Sequence, residues 1–338
     1  MAEKDYILKV ENLQTKFKSD RKKVHAVNGV SFNVRRGKTL CIVGESGCGK
    51  SVTAHSIMQL LPSNGKIEGG KVTYYPANRE AVELSSLRKN SKPMRNIRGK
   101  EIAMIFQDPM STLNPVYTIG NQIMENLCQH EKIDKKEAKT RIINLLTELG
   151  IPTAEARFDQ YPHEFSGGMK QRVMIAIAMI CNPDILIADE PTTALDVTIQ
   201  AQILDLIKKM QEEYGTSVIL ITHNMGIVAE VADDVAVMYM GKIVEQGSVE
   251  QIFTNPQHPY TRALMRSVPV LGMDKNQKME TIEGSTPDVS TVFAGCEFAD
   301  RCTHACDRCY VTFPVDTEIE EGHFVRCLLF EEGKTNAE

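Results

Sequence analysis

Residues 44–51 read GESGCGKS, directly after the apolar run TLCIV at 39–43 and at the head of a helical pattern, SVTAHSIMQLL, that begins at Ser51. The spacing is G-x-x-x-x-G-K-[ST], and a buried strand feeding a helix N-terminus is the setting in which it binds phosphate. Gly44, Glu45, Ser46, Gly47, Cys48 and Gly49 form a loop whose backbone N–H groups converge on a β-phosphate. The helix start adds positive potential, Lys50 reaches the terminal phosphates, and Ser51 ligates Mg²⁺.

Outward from this loop, short apolar runs alternate with helical stretches. TLCIVG, EIAMIFQ, DILIAD and SVILITH read as strands, and VTIQAQILDLIKKMQEEYG as a second amphipathic helix. Such alternation specifies an α/β fold around a mostly parallel sheet. Between IFQDP and DILIAD the strands cease, and TIGNQIMENLCQH and KKEAKTRIINLLTELG, the latter stopped by Gly150 and Pro152, mark a helical subdomain over about 108–180. After VAVMYMGKIVEQG and SVEQIFTN, a Pro-, Gly- and Thr-rich stretch at about 267–295 reads as a linker. The chain thus divides into a main domain over 1–265 and a small C-terminal extension over 266–338.

ILIADE supplies the second half of a phosphate-transfer site. Four apolar residues ended by Asp189 and Glu190 form a buried strand that delivers two carboxylates to its C-terminal edge, where open α/β sheets bind ligands. Asp189 is expected to hold Mg²⁺ through water, and Glu190 to act as general base.

The 338 residues carry 39 Lys plus Arg against 44 Asp plus Glu, a net charge of −5, so no general basic field points to nucleic acid. The start, MAEKDYILKV, lacks the layout of a signal peptide, and the longest strictly apolar run, VMIAIAMIC at 173–181, is far shorter than a membrane span. The expectation is a chain that neither crosses a membrane nor is secreted, in a reducing compartment where its nine cysteines are packing residues or metal ligands. Cys41, Cys48, Cys128 and Cys181 are scattered and read as packing residues.

Beyond the phosphate loop and the Asp-Glu pair, FSGGMKQR at 165–172, Gln107 in IFQDP, Ala194-Leu195-Asp196 and His223 in LITHN follow in a fixed order. With these residues the chain resembles, over 8 to about 265, the nucleotide-binding subunit of an ATP-binding cassette (ABC) transporter. The resemblance implies a mixed-sheet core of RecA type with a helical subdomain, and MgATP as substrate. It makes Ser166, Gly167 and Gly168 the signature, Gln107 the Q-loop residue that senses Mg²⁺ and water, Asp196 part of the D-loop, and His223 the switch histidine that contacts the γ-phosphate. Phe17 falls where the family stacks adenine on an aromatic. The family works as a head-to-tail dimer in which one subunit's phosphate loop and the other's signature clamp one ATP.

Here the usual signature Gln is Met169 and the leading Leu is Phe165, which points to a heterodimer with a second, homologous ATPase. FSGGM, MIFQDPMSTLNP and IADEPTTALDVTIQAQI resemble one of the two ATPases of dipeptide and oligopeptide importers. Such systems place two different ATPases on the cytoplasmic face beneath two transmembrane permease subunits, fed by an extracytoplasmic peptide-binding protein. Another solute, such as a nickel chelate, and a soluble ABC ATPase acting without a transporter are the alternatives.

The remaining cysteines are spaced Cys296-x5-Cys302-x3-Cys306-x2-Cys309-x17-Cys327. Crowded thiols favour a metal, and only Cys306 with Cys309 offers the C-x2-C pair usual for structural zinc. Zinc, unligated packing and a thiolate iron–sulfur site all remain open on spacing, whereas radical chemistry would need a large barrel downstream. The resemblance to the peptide-importer ATPases, whose C-terminal extension carries cysteines in a similar pattern, implies a [4Fe-4S] cluster on Cys296, Cys302, Cys309 and Cys327, with Cys306 supernumerary.

Overall fold

This computed structural model describes residues 5–18, 23–193, 195–267 and 282–331. β1 (Tyr6–Lys18) and β2 (Lys23–Arg35) form an antiparallel ribbon leading into β3 (Thr39–Val43) and α1 (Lys50–Ile57). β4 (Gly65–Tyr74) and β5 (Val82–Glu83) extend that ribbon, and α2 (Lys92–Ile97) leads to β6 (Ile102–Ile105). The helical stretch holds α3 (Pro109–Thr112), α4 (Ile119–His130), α5 (Lys135–Glu148), α6 (Ala154–Phe158) and α7 (Gly167–Met179). Alternation resumes with β7 (Ile185–Asp189), α8 (Val197–Tyr214), β8 (Ser217–Thr222), α9 (Met225–Val231) and β9 (Asp234–Tyr239). β10 (Lys242–Ser248), α10 (Val249–Thr254) and α11 (Pro259–Arg266) precede a hairpin of β11 (Asp316–Glu320) and β12 (His323–Arg326).

The central sheet is ordered β11-β12-β10-β9-β3-β8-β7-β6. β9, β3, β8, β7 and β6 run parallel, while β10, β12 and β11 pair antiparallel, so the sheet is mixed. Its middle strands are buried throughout because both faces are covered. Cys41 and Val43, Leu186 and Ala188, and Val218 and Leu220 face the helices. Leu40 and Ile42, Ile185 and Ile187, and Ile219 and Ile221 face the second sheet, which is antiparallel and ordered β2-β1-β4-β5. This period-two division makes three layers of one chain and points the C-terminal ends of the parallel strands toward one edge.

Three features depart from expectation. α1 ends at Ile57, short of the pattern's end at Leu61, because Gln59 takes a left-handed φ of 50° and its amide donates to the Leu87 carbonyl at 2.6 Å. Cys41, Cys48 and Cys181 are buried, but Cys128 is exposed: the apolar stripe of α4 is Ile119, Ile123 and Leu127, and Cys128 lies a further 100° around. The C-terminal hairpin joins the central sheet, with Glu245 opposite Val325 and Gln246 opposite Phe324. Of the expected linker, 268–281 lies outside the described residues, and 282–295 is turn and irregular backbone. Among the described residues no helix is long and apolar enough to cross a membrane.

A buried polar knot welds the hairpin to β10. Glu245, 1% exposed, accepts from the backbone N–H of Gln257 (2.7 Å) and His258 (2.8 Å) and pairs with His323 Nε2 at 2.8 Å, while His323 Nδ1 faces Glu320 at 3.1 Å. Burial lowers the His323 pKa, but the hydrogen bonds to Glu245 and Glu320 outweigh it and the net shift is upward. The charged pair therefore stabilises fully below the unfolded value of about 6.5, and its contribution fades as pH rises through the higher folded value. His323→Ala is expected to cost about 3 kcal/mol at pH 6, since it strands a buried carboxylate that keeps two backbone donors. Denaturant melts at pH 6 and pH 9 check this; a gap that does not narrow at the higher pH would mean that His323 is neutral.

Candidate functional site

The phosphate loop leaves β3 at the sheet edge where β7 and β8 also end. Two of its three glycines are demanded by close packing as well as by turning. Gly44 (φ 153°) and Gly49 (φ 106°) lie so near the carbonyls of Met238 and Ala26 that a Cβ would overlap them. Lys50, 5% exposed, donates to the carbonyls of Gly44 (2.8 Å) and Glu45 (3.0 Å), which holds its ammonium within the loop. Cys48 is buried beneath it, its sulfur 3.9 Å from the ammonium, and burial raises the thiol's pKa.

The two carboxylates take different surroundings. Ser51 Oγ donates to Asp189 Oδ1 at 2.9 Å, which brings together the two residues expected to hold Mg²⁺. Burial pushes the Asp189 pKa up against the Ser51 hydrogen bond. Glu190 begins the loop after β7 with a left-handed φ of 46°, a strained conformation for a non-glycine residue. Three side chains converge on its carboxylate: Gln107 Nε2 donates at 3.1 Å, Thr193 Oγ1 at 2.9 Å, and His223 Nδ1 lies at 3.2 Å. Burial opposes the charge, but the hydrogen bonds of Thr193 and His223, with the charges of His223 and Lys50, hold the carboxyl below its usual range. Glu190 is therefore an anion at neutral pH, aimed into a cluster drawn from three chain segments. Thr193 was not singled out by the sequence; its signal was only its place three residues after Glu190.

Ser166, Gly167, Gly168 and Asp196 form a separate group, joined to the first by no hydrogen bond among the described residues. Ser166 caps α7, its hydroxyl accepting from Met169 N–H at 3.4 Å, and Asp196 caps α8, its carboxylate accepting from Ile199 N–H at 3.0 Å. A Cβ at Gly168 would lie 3.0 Å from Ile199 Cγ2, so the isoleucine methyl would have to give by a few tenths of an ångström. Ser166 and Gly167 are exposed at this helix start, which is free to meet an anion brought by another chain. Ala194 lies outside the described residues. Phe17 is half-buried in β1 with its ring against Gly65.

In the C-terminal extension, Cys296 N–H donates to the Cys309 carbonyl at 2.8 Å, folding the segment back on itself. Burial pushes the Cys327 thiol up to about 12 against a backbone hydrogen bond from Leu329, and Cys296, Cys302 and Cys309 add to the rise. Cys306 is exposed, and its sulfur lies 3.6 Å from that of Cys309. Among the described residues no three His, Cys, Asp or Glu side chains are arranged to hold a single metal ion.

The sequence model of the ABC transporter family matches residues 27–193, and that of the oligopeptide/dipeptide transporter C-terminal region matches 244–309. The dipeptide transport ATP-binding protein DppD of Bacillus subtilis is 50% identical, covering 96% of this chain and 94% of its own. The oligopeptide transport ATP-binding protein AppD of the same organism is 48% identical, covering 96% and 97%. A putative peptide import ATP-binding protein of Brucella ovis is 48% identical, covering 96% and 98%. Among solved structures, a dimeric ATP-binding cassette in a post-hydrolysis state with ADP and Pi matches with a TM-score of 0.63 at 27% identity, over 72% of this chain and 99% of that one.

Proposed function

Because the chain belongs to the ABC transporter ATPases of the dipeptide and oligopeptide import branch, we infer that it binds and hydrolyses ATP to power peptide import. The observation that carries hydrolysis is the convergence of Gln107, Thr193 and His223 on Glu190, beside the Ser51–Asp189 pair.

That geometry and the family resemblance together support the following roles. Backbone N–H groups of residues 44–51 and the Lys50 ammonium bind the β- and γ-phosphates. The Ser51 hydroxyl and the Asp189 carboxylate, 2.9 Å apart, suit Mg²⁺, which when bound neutralises phosphate charge. Glu190 accepts the proton of the attacking water, His223 stabilises charge developing on the γ-phosphate, and Gln107 orients the water and relays closure to the permease. Phe17 stacks adenine. The exposed start of α7 reaches the γ-phosphate of ATP held by a second ATPase subunit, and Asp196 lies beside it at that interface. Met169 in place of the signature Gln supports a different, homologous partner chain. Two permease subunits at the cytoplasmic face of the membrane and an external peptide-binding protein complete the assembly.

Residues 266–338 form the C-terminal extension, and the cysteine pattern it shares with the peptide-importer ATPases supports a [4Fe-4S] cluster over zinc. Zinc bonds of about 2.3 Å would draw four sulfurs to about 4 Å of one another. The Cys306 and Cys309 sulfurs lie 3.6 Å apart, while Cys296, Cys302 and Cys309 each act electrostatically on the buried Cys327 thiol. Holding the extension folded is the role its small size supports.

Transport by the assembled complex in proteoliposomes tests the reading. Uptake of a labelled dipeptide is expected to need MgATP and to stop when this subunit is omitted. ATP-driven uptake of a nickel chelate but no peptide would move the assignment to that solute class. Hydrolysis that no permease stimulates would favour the non-transport alternative.

A further inference from the structure

Glu45 is an anomaly in a loop that binds triphosphate: it places a carboxylate within an anion site. Its partner comes from 256 residues away, in the cysteine-rich segment. Arg301 Nη1 donates to Glu45 Oε2 at 2.7 Å and Nη2 to Oε1 at 3.0 Å, a two-pronged ion pair. The Arg301 side chain is only 5% exposed, and its guanidinium lies 5.9 Å from the ring centres of both Tyr239 and Phe298. Its Nε donates to the Glu283 carbonyl at 3.0 Å, and Thr286 Oγ1 adds a third bond to Glu45 at 3.0 Å.

The backbone of Glu45 is fixed as well. Its N–H donates to the Tyr260 hydroxyl at 2.9 Å, and its carbonyl is one of the two that hold Lys50. Tyr260 packs on Tyr239 and Phe298, the same rings that flank Arg301. One aromatic cluster therefore supports Arg301 and the loop together. An unpaired carboxylate here would repel the phosphates and compete for Lys50.

We propose that Arg301 is a positioning residue for the phosphate loop: by neutralising and fixing Glu45 it lets the cysteine-rich segment set the affinity for MgATP. This rests on the reading of residues 44–51 as the ATP site. Disturbance of the cysteines is thereby carried to the nucleotide without any of them touching it.

Calorimetric titration of the full chain with a non-hydrolysable Mg–ATP analogue tests the proposal. Arg301→Ala is expected to raise Kd about tenfold, and Arg301→Lys, which keeps the charge but loses the fork, about threefold. In a Glu45→Gln background, Arg301→Ala is expected to change Kd by less than about twofold, because the charge it offsets is gone. That loss of effect is what a merely structural role for Arg301 would not produce. An unchanged Kd in Arg301→Ala, or an equal loss in both backgrounds, overturns the proposal. Should Arg301→Ala fail to melt cooperatively, Arg301→Lys measured in the two backgrounds decides by the same criterion. Lys50→Ala, run alongside, is expected to lose binding. If it binds normally, the reading of the loop falls and the inference with it, whereas a defective Lys50→Ala beside an unaffected Arg301→Ala overturns the inference alone.

Discussion

Glu190→Gln is expected to lower ATP turnover by about 10²–10⁴-fold while leaving ATP binding in place. The amide keeps the volume and hydrogen-bonding reach of the carboxylate, so the cluster with Gln107, Thr193 and His223 persists, but it accepts no proton from water. ATP then accumulates unhydrolysed in the closed dimer. The environment also fixes the pH response. Thr193, His223 and Lys50 hold the Glu190 carboxyl below its usual range, so the acid limb of turnover should lie below that of an ordinary glutamate, about 4.3. Thr193→Ala removes one of those stabilising bonds and should move the limb upward. Steady-state phosphate release across pH, with nucleotide binding measured separately, checks both statements; normal turnover in Glu190→Gln would send the role of base elsewhere.

An all-or-none effect is expected at the cysteines. Protein purified without air should be brown and carry about four irons and four sulfides per chain. Cys309→Ser should abolish both colour and iron, whereas Cys306→Ser should leave them, because Cys306 is exposed and lies off the ligand pattern of the peptide-importer ATPases. The opposite pattern would exchange the two residues' roles. A colourless protein with one zinc, or no metal even after anaerobic reconstitution, would sink the cluster.

The parts legible in the sequence share one property: their meaning lies within a few consecutive residues. GESGCGKS between a strand and a helix, and ILIADE at a strand end, need only local context to place a loop and two carboxylates. Four of the five parallel strands, β3, β6, β7 and β8, were legible for the same reason, since burial on both faces writes them as unbroken apolar runs. The antiparallel sheet was not. β1 and β4 alternate buried and exposed positions and carry bulges, so they offer no run to recognise. Thr193 at Glu190 and Arg301 at Glu45 depend on tertiary contact, the second across 256 residues, and no local pattern encodes either. Cys128 shows the converse error, where residue type suggested burial and helical phase decided against it.

The pairing of β12 with β10 also bears on the order in which the protein is made. β10 leaves the ribosome roughly 75 residues before β12, an interval of about 4–15 s at ordinary elongation rates. During that time β9 and β10 can dock on the growing sheet while the outer edge of β10 stays open, a template for pairing with any nearby nascent chain. The hairpin arrives last and closes that edge, with the Glu245–His323 knot as its lock. Translation stalled before residue 316 would leave a nucleotide-binding core that is nearly complete and yet prone to self-association, so quality control of this subunit falls on its final strands.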